Sequence, residues 1–214
     1  MKISKYHINR LIAGAARFFS TVFTPLMMPT YGVFLVLWTS VLCLLPMGTR
    51  IMVLIMVLGI TCVLPIISIG ALHHFKIISN KQLDKQHERL YPYAFAVLCY
   101  IAAAFYLNNI HSPMWFVMFA AGGALACLLD MIINLWWKIS AHMTGIGGIV
   151  ALLFQIHVQG LSAFNLFWLL CLTILVAGVL GTSRMILKQH DLLQVLAGFA
   201  VGYFCVSFMI KSFG

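Results

Sequence analysis

The residues best suited to chemistry in this chain lie in one polar stretch, SRMILKQHDLLQVLAG, between two long apolar segments. Ser183 and Arg184 begin it, and five residues separate Arg184 from His190. Ionisable side chains are costly in so apolar a setting and commonly mark a functional site. A guanidinium suits phosphate oxygens, and an imidazole can serve as nucleophile, acid or base near neutral pH. This combination indicates phosphoryl transfer.

Two further polar clusters accompany this stretch. One contains Lys138, Ser140 and His142, and the other covers residues 76–92. A hairpin of two apolar segments separates each cluster from the next, and each hairpin returns the chain to the same membrane face. The links on the other face carry almost no reactive side chains. We therefore expect the three clusters to form one composite site.

The residue types of this site indicate a particular reaction. With His142 and His190 both present, one imidazole can attack phosphorus while the other donates a proton. A histidine nucleophile forms a phosphohistidine and divides hydrolysis into two easier steps. The sequence has no carboxylate cluster of the kind that binds Mg²⁺, and its six cysteines form no CxxC pair typical of a zinc site. We expect metal-independent chemistry without a cofactor.

The elements that must position these residues are membrane helices. Of the 214 residues, 63% are hydrophobic and 8% charged, against about 25% charged in soluble domains. Several apolar runs reach the roughly 20 residues that a helix needs to cross a bilayer. The predicted spans are 20–46 (kinked near Pro25 and Pro29), 51–76, 91–109, 114–137, 143–159, 163–181 and 191–210. The expected fold is an all-α integral membrane bundle of six to seven transmembrane helices, with the site at one membrane face.

The chain is expected to form a single transmembrane domain over residues 19–214, preceded by a basic segment. Residues 1–18 alternate basic and apolar side chains, which favours an amphipathic helix in the membrane interface. A plain basic flank before the first span is the alternative. The net charge is +9, and its cations cluster beside spans, so anionic lipid or a phosphate substrate is the expected partner, not nucleic acid.

Glycines within the predicted spans indicate close helix contacts. The strongest cases are Gly122-Gly123, Gly145 with Gly147-Gly148, and Gly198 with Gly202. The last two groups follow His142 and His190 by one to two helical turns, so close packing there would hold both histidines on rigid elements. A role in helix packing alone is the alternative.

The polar pattern resembles the type 2 phosphatidic acid phosphatases, integral-membrane relatives of the vanadium haloperoxidases. One element of that family's pattern is Ser-Arg-x5-His-x3-Asp, which this chain matches at Ser183, Arg184 and His190. The Val-Leu-Ala-Gly run at 195–198 is also typical of the family. The resemblance covers roughly residues 76–205, and this element is its most specific part.

The family's other two elements are matched in part. Pro-Ser-Gly-His corresponds to residues 139–142, where Ser and His are kept and Pro and Gly are replaced. Lys-x6-Arg-Pro corresponds to the region of Arg89, with two residues inserted before Pro92 and with Lys81 one residue too far away.

The resemblance implies a role for each matched residue. His190 corresponds to the nucleophile, and His142 to the acid that protonates the leaving oxygen. The implied phosphate-binding residues are Arg184, Ser183, Arg89, Ser140, Lys138, Lys81 and Lys85. The family acts without metal on lipid phosphates or isoprenoid diphosphates, and the implied location is a bacterial inner membrane.

Position 194 departs from the family, because it is Gln where the motif has Asp. Gln194 can accept a hydrogen bond from His190 but brings no negative charge. Asp191 is adjacent in sequence and is expected to point about 100° away on a helix. We hypothesise that Asp130, on a helical stripe with Asn134 and Lys138, supplies the missing carboxylate. Pairing of Asp130 with a neighbouring helix or with Lys138 is the alternative.

Three other functions remain open from the sequence. A catalytically weak relative that binds lipid phosphates without efficient turnover is suggested by Gln194. An aromatic prenyltransferase is faintly suggested by Asn80, Asp84 and Glu88. A transporter or a scaffold is the last alternative, although neither explains three polar clusters on one face.

The orientation of the site is also open. Eleven of the thirteen Lys and Arg residues lie on the site's face or in the N-terminal segment, which by the positive-inside rule favours the cytoplasm. Bacterial members of the resembled family usually act on the outer face of the inner membrane.

Overall fold

The computed structural model describes residues 2–76 and 90–213, with the backbone alone for 2–10. Helices make up nearly all of these residues, and no β-strand occurs among them. The α-helices of this part are α1 Lys2–Val22, α2 Met28–Thr39, α3 Met47–Leu58, α4 Leu64–His74, α5 Leu90–Asn109, α6 Met114–Ile133, α7 Ala141–Val158, α8 Phe167–Ile186 and α9 Leu192–Phe213. Short 3₁₀ turns occupy Pro25–Met27 and Val41–Leu44, and a π-helical stretch at Gly59–Val63 joins α3 to α4.

Seven helical segments in the described residues are long and apolar enough to cross a membrane. They are Leu11–Thr39, Met47–His74, Leu90–Asn109, Met114–Ile133, Ala141–Val158, Phe167–Ile186 and Leu192–Phe213. Large apolar side chains such as Trp168 and Leu175 point outward, as expected for surfaces that face lipid. The predicted all-α membrane bundle is thus confirmed, and the chain is a multi-pass membrane protein.

The first predicted span is divided into two helices. The helix of the basic segment continues past residue 18 as α1, and it ends at Val22 just before the extended residue Thr24. Thr24 precedes Pro25, and a residue before proline avoids the helical conformation because of the proline ring. Pro29 lies in the first turn of α2, where its missing N–H has no helical acceptor to lose. The kink expected near Pro25 is therefore a complete break.

Two helix ends differ from the predicted spans and change where site residues lie. The helix α8 extends to Ile186, so Ser183 and Arg184 belong to its last turns instead of to a link. The helix α6 ends at Ile133, and the chain then leaves the helix through a series of turns. Lys138 therefore does not continue the helical stripe of Asp130 and Asn134, and the predicted three-residue stripe is wrong.

Close packing of α7 against α9 holds the beginning of both helices in place. A Cβ atom on Gly202 would overlap the Thr144 carbonyl, and one on Gly147 would overlap the Phe199 carbonyl. A Cβ atom on Gly198 would lie 2.6 Å from the Ser140 carbonyl oxygen. Only glycine permits these approaches, which confirms the predicted close contacts. The first turn of α7 is consequently fixed against α9.

Candidate functional site

The link between α8 and α9 places Arg184 and His190 together. The α8 helix ends in a Schellman motif, in which the N–H of Lys188 bonds the Met185 carbonyl (2.9 Å) and the N–H of Gln189 bonds the Arg184 carbonyl (3.1 Å). Lys188 takes the left-handed conformation that this motif requires, with φ 53°. The five residues between Arg184 and His190 thus end one helix and reverse the chain, which gives the spacing a structural reason.

The beginning of α9 is a capping box formed by Asp191 and Gln194. The Gln194 N–H donates to Asp191 Oδ1 at 2.9 Å, and the Asp191 N–H donates to Gln194 Oε1 at 3.4 Å. These reciprocal bonds satisfy two of the N–H groups that have no acceptor within the helix. Asp191 therefore serves the helix end, and Gln194 has a structural role as well as its place in the motif.

The same Gln194 oxygen orients the His190 ring. Nδ1 of His190 lies 3.0 Å from Gln194 Oε1. The Asp191 N–H also donates to Gln194 Oε1, which identifies that atom as the amide oxygen. An amide oxygen only accepts, so Nδ1 of His190 must carry the hydrogen of their bond. In the neutral ring Nε2 then holds the lone pair. His190 is buried and lies on the wall of a cavity. Its tautomer is determined by the hydrogen bond to Gln194.

Ser20 of α1 joins the other two principal side chains. Nη1 of Arg184 donates to Ser20 Oγ at 2.6 Å, and Nε2 of His142 lies 3.1 Å from the Ser20 carbonyl oxygen. A carbonyl only accepts, so Nε2 of His142 carries a hydrogen and is the donor. Ser20 was not anticipated from the sequence, where its only signal is a hydroxyl side chain, next to that of Thr21, near the end of the first helix.

A cavity of about 330 Å³ lies between the helices at this end of the bundle. Four predicted site residues lie on its wall: His142, Arg184, His190 and Asp130. The remainder is mostly apolar and comes from several helices. Its residues include Pro25, Met28, Pro29, Phe119, Gly123, Ala126, Gly148, Ile149 and Val206. The clusters around His142 and His190 thus meet at one cavity.

Asp130 lies in the last turns of α6 and is 1% exposed. Its carboxyl lies beside the Thr144 hydroxyl of α7, which donates to the Ser140 carbonyl at 3.3 Å. The ring nitrogen Nδ1 of His190 has Gln194 as its partner, so Gln194 occupies the place of the motif carboxylate. Asp130 is nevertheless part of the same cavity, at a position of its own.

The remaining described candidates have mainly backbone or intrahelical roles. Ser183 is buried, and its hydroxyl donates to the Val179 carbonyl at 2.7 Å within α8. Ser140 is fully buried, and its carbonyl accepts from the N–H groups of Met143 (2.9 Å) and Thr144 (3.0 Å) at the start of α7. Lys138 is half-buried in the link that precedes Ser140. A phosphate contact by the Ser183 hydroxyl as donor requires this intrahelical bond to break.

The predicted candidates Arg89, Lys81 and Lys85, and likewise Asn80, Asp84 and Glu88, lie outside the described residues. The end of their cluster is described, and Pro92 lies on the cavity wall together with Tyr93. Tyr93 and Gln189 were not anticipated from the sequence. Among the described residues, no group of three or more His, Cys, Asp or Glu side chains is placed to hold a metal ion.

Comparisons with known proteins found no matching family model, no matching curated protein and no matching solved structure.

Proposed function

We propose that this chain is a membrane lipid phosphatase that hydrolyses a lipid phosphomonoester or an isoprenoid diphosphate through a phosphohistidine. One observation carries the proposal. His190, with Nδ1 bonded to Gln194, lies on the wall of the same cavity as Arg184 and His142. A nucleophile, a fixed cation and a proton donor are the three groups that such a reaction needs. The resemblance of 183–190 to type 2 phosphatidic acid phosphatases supports the same chemistry.

In the first step, the Nε2 lone pair of His190 attacks phosphorus and forms the P–N bond. The bond from phosphorus to the lipid oxygen breaks, and that oxygen takes the Nε2 proton of His142, which acts in its imidazolium form and is left as the neutral ring. Arg184 binds the non-bridging oxygens, where negative charge is concentrated. The lipid product leaves as an alcohol, or as a monophosphate when the substrate is a diphosphate.

In the second step, water attacks the phosphohistidine. Nε2 of His142, which has lost its proton, accepts one from the water, and the P–N bond breaks to release inorganic phosphate. His190 returns to its neutral form with Nδ1 still bonded to Gln194. The proposed intermediate carries positive charge on the His190 ring, and a neutral amide stabilises that charge less than a carboxylate does.

The hydrogen bonds of Ser20 have to rearrange during this reaction. The single Nε2 hydrogen of His142 is bonded to the Ser20 carbonyl, so the leaving oxygen must replace that carbonyl. Arg184 has five N–H donors, and the one that is bonded to Ser20 becomes available to phosphate when this bond breaks. The helix break between Val22 and Pro25 lies directly after Ser20, which allows the end of α1 to shift.

The apolar part of the cavity suits a lipid tail. Its volume of about 330 Å³ falls within the roughly 300–1,000 Å³ of sites that enclose small ligands. Polar groups at one end and apolar walls beyond them match an amphiphile with a phosphate head.

The experiment is phosphate release in the presence of EDTA over a panel of lipid phosphates and isoprenoid diphosphates. We expect release by the wild type and its loss, by at least about a thousandfold, in His190→Ala. The matched control is His157→Ala, because His157 is exposed near the far end of α7. Release that survives His190→Ala, or that needs a divalent cation, contradicts the proposal.

A second candidate is a relative that binds lipid phosphates without efficient turnover. The neutral partner of His190 favours it, since the place of the motif carboxylate holds an amide. A wild type that binds these lipids but releases no phosphate from any of them supports this candidate over the first.

A further inference from the structure

The proposed reaction leaves one acidic side chain of the cavity without a role. Asp130 is the only acidic residue among the described residues that line the cavity. It is 1% exposed, and its Oδ1 atom has no hydrogen-bond partner among the described residues. A buried polar atom without a partner is costly and rare, so this oxygen requires an explanation.

The polar group of α7 beside Asp130 bonds another acceptor. The Thr144 hydroxyl lies beside the Asp130 carboxyl, but it donates to the Ser140 carbonyl oxygen at 3.3 Å. A hydroxyl has one hydrogen and can donate to only one acceptor at a time. The Asp130 carboxyl therefore receives no hydrogen bond from Thr144 while the bond to Ser140 is in place.

Few donors line the cavity near Asp130. Ala126 precedes it on α6, and Gly145 and Gly148 follow Thr144 on α7. Tyr100 and Cys127, which carry a hydroxyl and a thiol, also line the cavity, but neither is hydrogen-bonded to Asp130 Oδ1. A ligand in the cavity is therefore the best source of a donor for this oxygen.

We propose that Asp130 and Thr144 form a recognition site for a hydroxyl group of the ligand, so that the preferred substrate bears a hydroxyl close to its phosphate ester. This inference rests on the proposed function for the identity of the phosphate, but the hydroxyl site is a separate feature of the cavity. The ligand hydroxyl donates to Asp130 Oδ1, and its own oxygen can accept the Thr144 hydrogen in place of the Ser140 carbonyl.

A hydroxyl fits this site better than an ammonium group. It can both donate and accept, so it pairs with the carboxyl in either protonation state. An ammonium group would bring a second charge into a mostly apolar cavity, where loss of hydration costs several kcal/mol per ion.

The hydroxyl site and the phosphate site lie on the same part of the cavity wall. Thr144 follows His142 by two residues in the first turn of α7, about 3 Å along the helix axis, and both residues line the cavity. A hydroxyl on the carbon next to the phosphate-bearing carbon is therefore the natural probe.

The test compares dodecyl phosphate with 2-hydroxydodecyl phosphate, which differ in one hydroxyl group. We expect the wild type to prefer the hydroxylated substrate by at least about tenfold in kcat/KM. Asp130→Leu should remove the preference, so that the two substrates are hydrolysed with equal kcat/KM. Equal rates for the two substrates in the wild type, or a preference that persists in Asp130→Leu, overturn the inference.

A matched pair of threonine variants controls for cavity polarity. Thr61 is buried and lines the same cavity, but its hydroxyl donates to the Val57 carbonyl at 2.8 Å. We expect Thr144→Val to reduce the preference and Thr61→Val to preserve it. Should Asp130→Leu fail to fold, as judged by gel filtration in detergent, the closer isostere Asp130→Asn is expected to weaken the preference. An equal loss in both threonine variants contradicts the assignment.

A binding measurement separates failure of this inference from failure of the proposed function. Dodecylphosphonate and 2-hydroxydodecylphosphonate, which cannot be hydrolysed, are titrated calorimetrically into the purified protein. Tighter binding of the hydroxylated compound that disappears in Asp130→Leu supports the hydroxyl site even when no phosphate is released from any lipid. Equal binding by the wild type overturns the site, whether or not the protein is a phosphatase.

Discussion

At the scale of single residues, the Gln194 side chain takes part in two structures, the hydrogen bond to the His190 ring and the cap of α9. Its side-chain oxygen accepts from the His190 ring and from the first N–H of the α9 cap. The cap explains why a residue with a long side chain suits position 194. An Asp there is shorter by one methylene and does not keep the cap in the same geometry, whereas a Glu has the length of Gln.

We therefore predict that Gln194→Glu raises the rate of phosphate release. The variant keeps the capping box, which accepts Glu or Gln at this position, and places a carboxylate beside Nδ1 of His190. Loss of such a carboxylate from a serine protease triad costs about 10⁴ in rate, and we expect a gain of at least about tenfold. The measurement is kcat with the best substrate of the lipid panel.

Gln194→Met is the matched control, since it has a similar length but no acceptor for either donor. It should be slower than the wild type and less stable by about 1 kcal/mol through loss of the cap. If Gln194→Glu is no faster than Gln194→Met, the ring partner does not limit the reaction.

Ser20 yields a second prediction at this scale. Its hydroxyl accepts a 2.6 Å hydrogen bond from Arg184, and a substrate phosphate competes for the same donor. Ser20→Ala removes the competitor, and we expect KM to fall several-fold, within the range for one hydrogen bond to a charged group. Steady-state kinetics on wild type and variant measure the change.

Thr21→Ala is the control, because Thr21 is an exposed hydroxyl in the same helix turn. Its KM should equal that of the wild type. A higher KM in Ser20→Ala would instead mean that Ser20 orients Arg184 toward the substrate.

At the scale of helices, the contact between α7 and α9 determines how rigidly the two histidines are held. Both histidines lie at the beginnings of these helices, and glycines bring the two backbones into direct contact. A helix end that moves by 1 Å can cost about a hundredfold in rate. The glycine contacts are thus part of the catalytic geometry, although none touches the substrate.

Gly202→Ala is expected to destabilise the protein and to slow phosphate release. Its methyl group would overlap the Thr144 carbonyl, so α7 must shift away from α9 at a cost of about 1–3 kcal/mol. Thermal unfolding in detergent and kcat are the two measurements.

Gly178→Ala provides the comparison within α8. A Cβ atom at Gly178 has nothing within 4 Å, so this variant should be as stable as the wild type or more stable by up to about 1 kcal/mol. If Gly202→Ala and Gly178→Ala have the same stability and the same kcat, the contact between α7 and α9 is not as tight as we infer.

At the scale of the whole molecule, apolar surface faces outward and reactive side chains meet between the helices. The lipid-facing helices need only length and apolar composition, whereas Asp130, His142, Arg184 and His190 come from three helices and one link. The opposite end of the bundle is closed by the 3₁₀ turn after α2, where Ser40 pairs with Ser162. The two ends thus differ in chemistry as the sequence predicts.

Sequence alone determined the class of this protein and most of its spans. Apolar composition and segment length are local properties that determine membrane helices. Glycines within these segments indicate close helix contacts, because no other residue fits there. The spacing of Arg184 and His190 has a similar local basis, since the end of one helix and the reversal of the chain lie between them in sequence. These features depend on neighbours along the chain.

Tertiary structure alone decided which distant groups meet. The Ser20 bonds to Arg184 and His142 join residues more than a hundred positions apart, and no periodicity records such a contact. The position of Lys138 relative to Asp130 and Asn134 depends on where α6 ends, and the predicted span ends four residues too late. Hydrogen bonds between helices are set by the relative positions of whole elements, and those positions follow from packing over the entire bundle instead of from any local pattern.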